Sequence, residues 1–296
     1  MIDVVVVGGS FAGMSAALQL ARACRTVRVI DAGKPRNRRA ARAHGCLGWD
    51  GAAPADILAQ GRSQLLAYER VSWTDDEVQR ITGSAAQGFQ VKCRSGAAHE
   101  ARRVVLAHGV VDHLPDIPGL DERWGRSVLH CPYCHGYEIC GGAIGALVSS
   151  VDGAEEQVRA LQQWGRVQAF HDGGFDAQDL ERIASSLEPL GVSLERSALV
   201  AITDTATLQL ADERSMKVDA LFIHPDSSLA APMAEALGCE VESAGCITTD
   251  SAKQTTVPGV FACGDAARFA GNIALAVGEG ALAGVAAHRS LLGLLD

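Results

Sequence analysis

Two cysteines separated by two residues carry the clearest chemistry in the sequence. They are Cys131 and Cys134 of the run "CPYCHGYE", and His135 follows them directly. A C-x-x-C pair at the start of a helix has a lowered thiol pKa and a geometry suited to reversible disulfide formation. An imidazole titrates near neutral pH and can act as a base towards an incoming thiol. The run therefore predicts a redox pair with a catalytic base at His135, whereas roles for His130 and Glu138 stay open.

A zinc site is the alternative use of such a pair. Structural zinc takes four ligands, typically as two closely spaced pairs. The chain has nine cysteines, but no second C-x-x-C and no H-x-x-x-H accompanies the first pair. We therefore predict no metal site. Most of the other cysteines are scattered singly, as expected for small buried residues of a protein in a reducing compartment.

The N-terminal segment predicts an element that holds a cofactor. The run "IDVVVVGGSFAGMSAALQLARA" reads as an apolar strand, a glycine-rich turn and a helix of small residues. In this arrangement the helix N-terminus faces a pyrophosphate, and glycines allow a tight turn and close helix–strand packing. The next strand, "TVRVID", ends on Asp31, where an acidic side chain can bind ribose hydroxyls. The segment predicts a bound adenine dinucleotide, with Ser10 in place of the middle glycine.

Two later segments indicate which dinucleotide is bound. The runs "RRVVLAHGV" and "TTVPGVFACGDAA", the latter followed by "NIALAVGEG", resemble motifs of the flavoprotein disulfide reductases. The resemblance implies that Asp265 bonds the flavin ribityl chain, and that a helix beginning near residues 272–274 points its N-terminus at the flavin. FAD is therefore the expected cofactor. The residues predicted to contact it are Gly8, Gly9, Ser10, Phe11, Ala12, Gly13, Asp31, Ala32, Arg36, Asn37, His44, Val78, Ala107, Gly109, Gly264, Asp265, Ile273 and Ala274.

The order of these motifs resembles that of the low-molecular-weight thioredoxin reductases over nearly the whole chain. This resemblance implies an α/β fold with two Rossmann-like dinucleotide-binding domains, the second inserted in the first. We expect an FAD-binding domain in residues 1–114 and 246–296. The inserted NAD(P)-binding-like domain, which carries the C-x-x-C, is expected in residues 115–245, after the proline-bearing stretch "HLPDIPGL".

Within that superfamily, the sequence more closely resembles FAD-dependent dithiol oxidases of the gliotoxin, holomycin and romidepsin type. The similarity lies in "CPYCHGYE", where thioredoxin reductases carry aspartate in place of His135, and in "DAGKPRNRRAARAHGCLGWDG". It implies that Cys131 exchanges with a small-molecule or peptide dithiol, and that Cys134 lies against the flavin and reduces it. It also implies reoxidation by molecular oxygen to hydrogen peroxide, natural-product biosynthesis as the setting, and a homodimer.

The inserted domain begins with a nucleotide site that lacks the usual residues. After the strand "GAIGALVSS" we align the turn as Ser149-x-Val151-x-x-Ala154, which puts a branched side chain where a pyrophosphate approaches the backbone. After the next strand, a thioredoxin reductase would have His-Arg-Arg to bind the NADPH 2′-phosphate, and this chain has His-Asp-Gly at 171–173. We therefore expect that NADPH does not supply the electrons.

Composition narrows the class of protein further. The 296 residues carry a net charge of −9, which argues against nucleic-acid binding because phosphate contacts need a basic surface. No apolar run approaches the ~20 residues of a membrane span, and we expect a cytoplasmic protein without a signal peptide. Two alternatives to the oxidase stay open: a disulfide reductase fed by NAD(P)H or ferredoxin, and a non-catalytic flavin-binding redox sensor.

Overall fold

The computed structural model describes residues 1–268 and 271–295 of the chain. Its strands, in chain order, are β1 (Ile2–Val7), β2 (Val27–Asp31), β3 (Val71–Asp75), β4 (Val78–Ser84), β5 (Gly88–Cys93), β6 (Ala98–Leu106), β7 (Val110–His113), β8 (Val128–Leu129), β9 (Gly142–Leu147), β10 (Gly165–Phe170), β11 (Leu199–Thr203), β12 (Thr207–Leu210), β13 (Ser215–Lys217), β14 (Ala220–Ile223), β15 (Asp226–Leu229) and β16 (Val260–Ala262). Its helices are α1 (Phe11–Arg22), α2 (Pro54–Leu66), α3 (Pro132–His135), α4 (Ala154–Leu161), α5 (Ala177–Leu187), α6 (Met233–Leu237) and α7 (Ile273–Leu291).

The chain divides into two compact units. Unit 1 contains Met1–Arg38, Cys46–Val111 and Ser227–Asp296, and unit 2 contains Arg39–Gly45 and Asp112–Asp226. The prediction of an α/β fold with two Rossmann-like domains is confirmed. The short strands β7 and β15, which include the residues where the chain passes from one unit to the other, pair as a separate sheet.

Unit 1 is built on a parallel sheet in the order β3-β2-β1-β6, with β16 pairing the carboxyl end of β6. The antiparallel strands β5 and β4 extend the sheet from the other end of β6. The residues of β1 from Val4 to Val7 are buried, as expected for a central strand covered on both faces. This burial explains the unbroken apolar run at the N-terminus.

The helices α1 and α7 pack closely against each other in unit 1, and two glycines of α7 permit this. A Cβ atom at Gly280 would lie 2.1 Å from the carbonyl oxygen of Ala12, and one at Gly284 would lie 2.4 Å from that of Ala16. Any side chain there would push the helices apart, since Cβ atoms do not approach backbone that closely. The first turn of α7 is capped by the Asn272 side chain, which accepts a hydrogen bond from the Leu275 N–H.

Unit 2 contains a parallel sheet in the order β10-β9-β14-β8 and an antiparallel sheet, β11-β12-β13. The helices α4 and α5 contribute Val158, Leu161 and Ile183 to a buried core with the parallel sheet. The C-x-x-C segment follows β8 directly, at the carboxyl edge of this sheet. In α/β folds that edge is where ligands and reactive groups gather.

The boundaries of the units differ from the expected ones in three places, the first of which is the start of the main segment of unit 2 at Asp112 rather than at residue 115. The chain returns to unit 1 at Ser227 rather than at residue 246, because Met233, Ala234 and Cys239 belong to the buried core of unit 1. The segment Arg39–Gly45 belongs to unit 2, where the Arg39 guanidinium donates two hydrogen bonds to the Asp121 carboxylate. Neither long-range contact is visible in the local sequence.

In the part of the chain that the structure describes, no helix is long and apolar enough to cross a membrane.

Candidate active site

The predicted redox pair lies at a single turn of helix in unit 2. Cys131 precedes α3 with extended backbone, and Pro132 occupies the first helical position, where the missing N–H of proline costs nothing. Cys131 and Cys134 form a disulfide with their Cα atoms 5.3 Å apart, within the ordinary range for such bonds. Both cysteines are partly exposed. The segment therefore presents a disulfide that a thiol can reach.

His135 ends this turn and has the properties of a neutral base. Its Nδ1 atom is buried and has no hydrogen-bond partner within residues 1–268 and 271–295. Burial lowers the pKa of His135 below its ordinary value, although the backbone of Cys131 and the carboxylate of Glu138 oppose that shift. A lowered pKa keeps the imidazole uncharged at neutral pH, with a lone pair that can accept a proton.

Two further side chains accompany His135 in unit 2. His44 Nε2 lies 3.4 Å from the Glu138 carboxylate, and charge on His44 would lower the pKa of His135 further. The structure places His44 in unit 2 beside Glu138, and its predicted contact with the flavin stays a prediction. The sequence left the role of Glu138 undecided, and in the structure its carboxylate lies near both histidines. No local sequence signal predicted its pairing with His44.

Two aromatic side chains pack together at the disulfide turn. Tyr133 is 81% exposed, and its ring meets the ring of Trp164 edge-on with centroids 5.4 Å apart. A Cβ atom at Gly136 would lie 2.6 Å from both the Trp164 ring and the Pro132 carbonyl. Glycine at this position therefore lets Trp164 pack against the end of the turn and hold it in place.

Three parallel strands of unit 1 end side by side and bring the predicted cofactor residues together. The central strand is β6, whose Leu106 pairs with Val7 of β1 on one side and with Ala262 of β16 on the other. The residues that follow these strands are therefore neighbours at one edge of the sheet. They are the turn Gly8–Gly13, the run 107–109 and the pair Gly264–Asp265.

The turn after β1 has the shape that a dinucleotide needs. A Cβ atom at Gly8 would lie 2.3 Å from the Ala107 carbonyl oxygen, and one at Gly13 would lie 1.9 Å from that of Gly8. Gly8 also has a φ of 101°, which favours glycine. The helix α1 starts directly after Ser10, with Phe11 and Ala12 in its first turn and no acidic side chain there. Its N–H groups are suited to an anion.

The polar residues on this edge fit FAD as well. The Asp31 carboxylate accepts a hydrogen bond from the Gly9 N–H at 3.0 Å, and so it stands beside the turn. Arg36 forms an ion pair with Asp265 at 3.0 Å. The Oδ1 atom of Asn37 is buried without a partner among the described residues. Buried polar atoms are normally satisfied, and an unsatisfied acceptor in this segment is consistent with a bound ligand that supplies hydrogen bonds.

A buried glutamate that the sequence analysis missed orders the Gly264 loop. Glu279 of α7 is 4% exposed and accepts a hydrogen bond from the Gly264 N–H at 3.1 Å. It also pairs with Lys253 at 2.6 Å and with Arg268 at 2.7 Å. Paired buried charges of this kind fix local geometry. A single acid inside the apolar run "IALAVGEGALAG" was the signal that could have indicated it.

The other predicted cofactor residues lie in unit 1 in varied surroundings. Ala32 is exposed directly after β2, and Val78 is buried in the core at the start of β4. Ala107 is buried after β6, and the Gly109 carbonyl accepts a hydrogen bond from the Ala230 N–H. Ile273 begins α7 at the predicted place, with Ala274 exposed beside it. Their contacts with the cofactor stay predictions.

The second nucleotide site departs from the first in its loop. Residues 148–153 separate β9 from α4, whereas only residues 8–10 separate β1 from α1. Val151 lies in a turn of this loop and packs, partly buried, against the core of unit 2. The absence of a short glycine turn, rather than one branched side chain, distinguishes this loop from the dinucleotide pattern.

The residues after β10 are arranged differently from a phosphate clamp. His171 is 4% exposed, with Nε2 3.1 Å from the Arg196 carbonyl and Nδ1 accepting from the Gly173 N–H. Both ring nitrogens are therefore used within the protein. Asp172 is exposed, and its carboxylate accepts from the Gly174 N–H. An exposed carboxylate at this position repels a phosphate.

Other reactive groups are less suited to the chemistry. In the described part of the chain, no group of three or more His, Cys, Asp or Glu side chains could hold a metal ion. Cys263 precedes Gly264 but is fully buried, and burial raises the pKa of its thiol to about 12. It therefore stays protonated and unreactive.

Comparison with known proteins identifies the family. The family model of pyridine nucleotide-disulphide oxidoreductases matches residues 2–280, and the chain belongs to this family. It is 31% identical to the thioredoxin reductase sirT of Leptosphaeria maculans, over 99% of this chain and 95% of that protein. FAD is accordingly the cofactor, and the chain is a flavoprotein disulfide oxidoreductase, as predicted.

Two solved structures resemble the chain along its length. An oxidoreductase from Agrobacterium tumefaciens is 45% identical, with a TM-score of 0.91 and coverage of 99% of both chains. The protein HlmI is 35% identical, with a TM-score of 0.90 and coverage of 99% of this chain and 93% of its own. The predicted resemblance to thioredoxin-reductase-like flavoproteins is confirmed.

Proposed function

We propose that the protein is an FAD-dependent dithiol oxidase that converts a small-molecule or peptide dithiol into an intramolecular disulfide. The observation that carries the direction of electron flow is the second nucleotide site. Its loop, residues 148–153, is longer than the segment 8–10 between β1 and α1, and an exposed Asp172 follows His171 in place of the arginine of a thioredoxin reductase. Electrons then enter as thiols at the Cys131–Cys134 disulfide.

The residues of the disulfide turn can carry out the thiol exchange. His135 takes the proton from one substrate thiol, and the thiolate attacks Cys131 Sγ, so that the Cys131–Cys134 bond breaks and Cys134 leaves as a thiolate. The second substrate thiol gives its proton to the Cys134 thiolate and attacks the substrate sulfur of the mixed disulfide. Cys131 then leaves as a thiolate, and the substrate departs as a disulfide. The enzyme has gained two electrons as a dithiol.

FAD, when bound, would accept this electron pair and pass it to molecular oxygen, which with two protons becomes hydrogen peroxide. Loss of the pair re-forms the Cys131–Cys134 disulfide and prepares the enzyme for another substrate. The neutral state of His135 matters for the exchange because only an uncharged imidazole can accept the first proton.

Oxygen uptake with dithiothreitol tests this proposal. We expect Cys131→Ser and Cys134→Ser each to lower the rate at least ~10³-fold, since each removes one sulfur of the exchanged bond. Cys140→Ser is the matched control, because Cys140 is an exposed free thiol close in sequence, and its rate should stay within about twofold. Unchanged oxygen uptake in both redox variants would exclude the proposed route.

A disulfide reductase is the second candidate, favoured by the names of relatives such as thioredoxin reductase sirT. Anaerobic mixing separates the two functions because it isolates the step that reduces the flavin. The oxidase predicts that dithiols bleach the flavin absorbance rapidly and that NADPH and NADH do not. Rapid bleaching by a nicotinamide nucleotide, with none by dithiols, would establish the reductase instead.

We also propose a homodimer in the cytoplasm. An apolar face of α7 supports the dimer. It consists of three side chains on one side of the helix, spaced by seven and then three residues. They are Leu275, Leu282 and Val285, which are 41%, 52% and 46% exposed. Exposed apolar side chains that share a face often mark a protein interface.

The cysteines support the proposed cytoplasmic location. Free thiols, among them Cys24, Cys46 and Cys93, are consistent with a reducing compartment.

A further inference from the structure

His108 carries a buried hydrogen-bonding atom that no described protein group satisfies. It directly follows Ala107 after β6, and its Nε2 atom is buried without a partner among the described residues. Most buried polar atoms in proteins have a partner, and each exception asks for an explanation. Because the neighbouring residues Ala107 and Gly109 are predicted to contact FAD, the cofactor is the first candidate partner for His108 Nε2.

The other ring nitrogen determines what His108 Nε2 can do. Nδ1 lies 3.1 Å from the carbonyl oxygen of Gly109. A carbonyl oxygen only accepts hydrogen bonds, and so Nδ1 is the nitrogen that carries the proton. Burial lowers the pKa of His108 to about 4, against a smaller opposing effect of the Gly109 backbone. The ring is therefore neutral at pH 7, and Nε2 offers a lone pair.

The position of His108 in the sheet limits which part of FAD it can meet. Because β6 lies between β1 and β16, the end of β6 stands between the Gly8 turn and the Gly264–Asp265 pair. A dinucleotide whose pyrophosphate lies at the Gly8 turn and whose ribityl chain lies at Gly264–Asp265 must therefore pass the end of β6. Phosphate oxygens cannot donate to a lone pair, whereas ribityl hydroxyls can.

We propose that His108 is a cofactor-binding residue whose Nε2 accepts a hydrogen bond from a ribityl hydroxyl of FAD. The interaction satisfies a buried polar atom for which the described residues offer no partner, and it selects a ligand with a hydroxyl-bearing chain beside its pyrophosphate. It concerns cofactor binding alone and holds for either direction of electron flow.

The dissociation constant of FAD, measured by flavin fluorescence on the apoprotein, tests this role. We expect His108→Phe to bind FAD about tenfold more weakly, because the hydroxyl loses its acceptor. His108→Gln, whose side-chain oxygen can accept in place of Nε2, should recover most of the affinity. Equal affinity of the wild type and His108→Phe would overturn the proposal.

His99→Phe is the matched control. His99 lies in β6, the strand that precedes His108, and also has a buried, unpartnered Nε2 among the described residues, but it stands at the opposite end of β6, paired with Val91 of β5. Its replacement should leave the FAD dissociation constant within about twofold. A loss of affinity equal to that of His108→Phe would mean that disturbance of β6, not a ribityl contact, is responsible, and the proposal would be wrong.

FAD analogues that lack one ribityl hydroxyl each identify the contact from the ligand side. One of the 2′-, 3′- or 4′-deoxy analogues should bind the wild type and His108→Phe with equal affinity, because the partner hydroxyl is already absent. If every analogue shows the same difference between the two proteins as FAD does, the proposal fails.

The nitrogen-15 resonance of His108 Nε2 in the wild type gives a second readout that needs no variant. Binding of FAD should shift this resonance in the direction of an accepted hydrogen bond and leave Nε2 unprotonated. A resonance that does not move, or a protonated Nε2, would contradict the assignment.

Discussion

At the scale of single residues, the mechanism that we propose makes the pH range of the reaction depend on the ionisation of His135. Its pKa lies below the ordinary value of about 6.5, mainly because of burial. The base form therefore predominates at pH 7, and the rate of flavin reduction by a dithiol should fall only as the pH drops below this lowered pKa. Stopped-flow absorbance of the flavin under anaerobic conditions measures this rate across the acid and neutral range, and so it gives the acid limb of the pH–rate profile.

Substitution of His135 gives the corresponding signature. His135→Gln should lower the rate at pH 7 on the order of 10²-fold and recover activity as the pH approaches the thiol pKa of about 8.5, where the substrate ionises without a base. Glu138→Gln is the companion variant. The Glu138 carboxylate raises the pKa of His135, so its removal should move the acid limb to lower pH. A limb that moves upwards would contradict the assigned base.

At the scale of elements, the contact between β1 and α1 depends on Gly13. A methyl group there would lie 1.9 Å from the Gly8 carbonyl oxygen, so Gly13→Ala must separate strand and helix. We expect a loss of about 1–3 kcal/mol in the free energy of unfolding, together with weaker FAD binding because the turn opens. Urea unfolding and FAD titration of the variant measure the two effects.

Gly61→Ala is the control for this prediction. Gly61 lies in α2, and its added methyl group would meet only the flexible end of Met14, at 3.0 Å from Cε. A methionine terminus can move aside, whereas the Gly8 backbone cannot without disturbing the sheet. The stability of Gly61→Ala should therefore change by less than about 1 kcal/mol. Equal losses in both variants would show that backbone contact is not the cause.

At the scale of the whole molecule, the apolar face of α7 predicts the oligomeric state. Leu282→Asp puts a charge among Leu275 and Val285, so that burial of this face in a dimer becomes unfavourable. We expect the wild type to be a dimer and the variant a monomer at micromolar concentration, measured by sedimentation equilibrium. Val200→Asp, on a similarly exposed valine of β11, should remain dimeric. A monomeric wild type would refute the interface.

Local patterns in the sequence predicted much of this protein. The strand, turn and helix of Ile2–Arg22, the end of β2 at Asp31 and the start of α7 at Ile273 were all assigned correctly. Each is specified by residues within one or two turns of chain: buried strands by apolar runs, tight turns by glycine, and the start of α7 by the capping residue Asn272. The C-x-x-C spacing likewise predicted that Cys131 and Cys134 can pair, and they form a disulfide in the structure.

Tertiary structure decided which distant side chains meet. Arg36 and Asp265 form an ion pair across a separation of 229 residues, and Glu279 reaches the Gly264 loop from a helix that reads as apolar. His44 pairs with Glu138 because its segment packs in unit 2, and His108 has an unsatisfied nitrogen among the described residues only because its surroundings bury it. The sequence by itself determined the cofactor class and predicted the reactive sulfurs, and both depend on short motifs. Burial and long-range pairing arise only when the chain is packed, and they decide which groups are neutral, paired or available to a ligand.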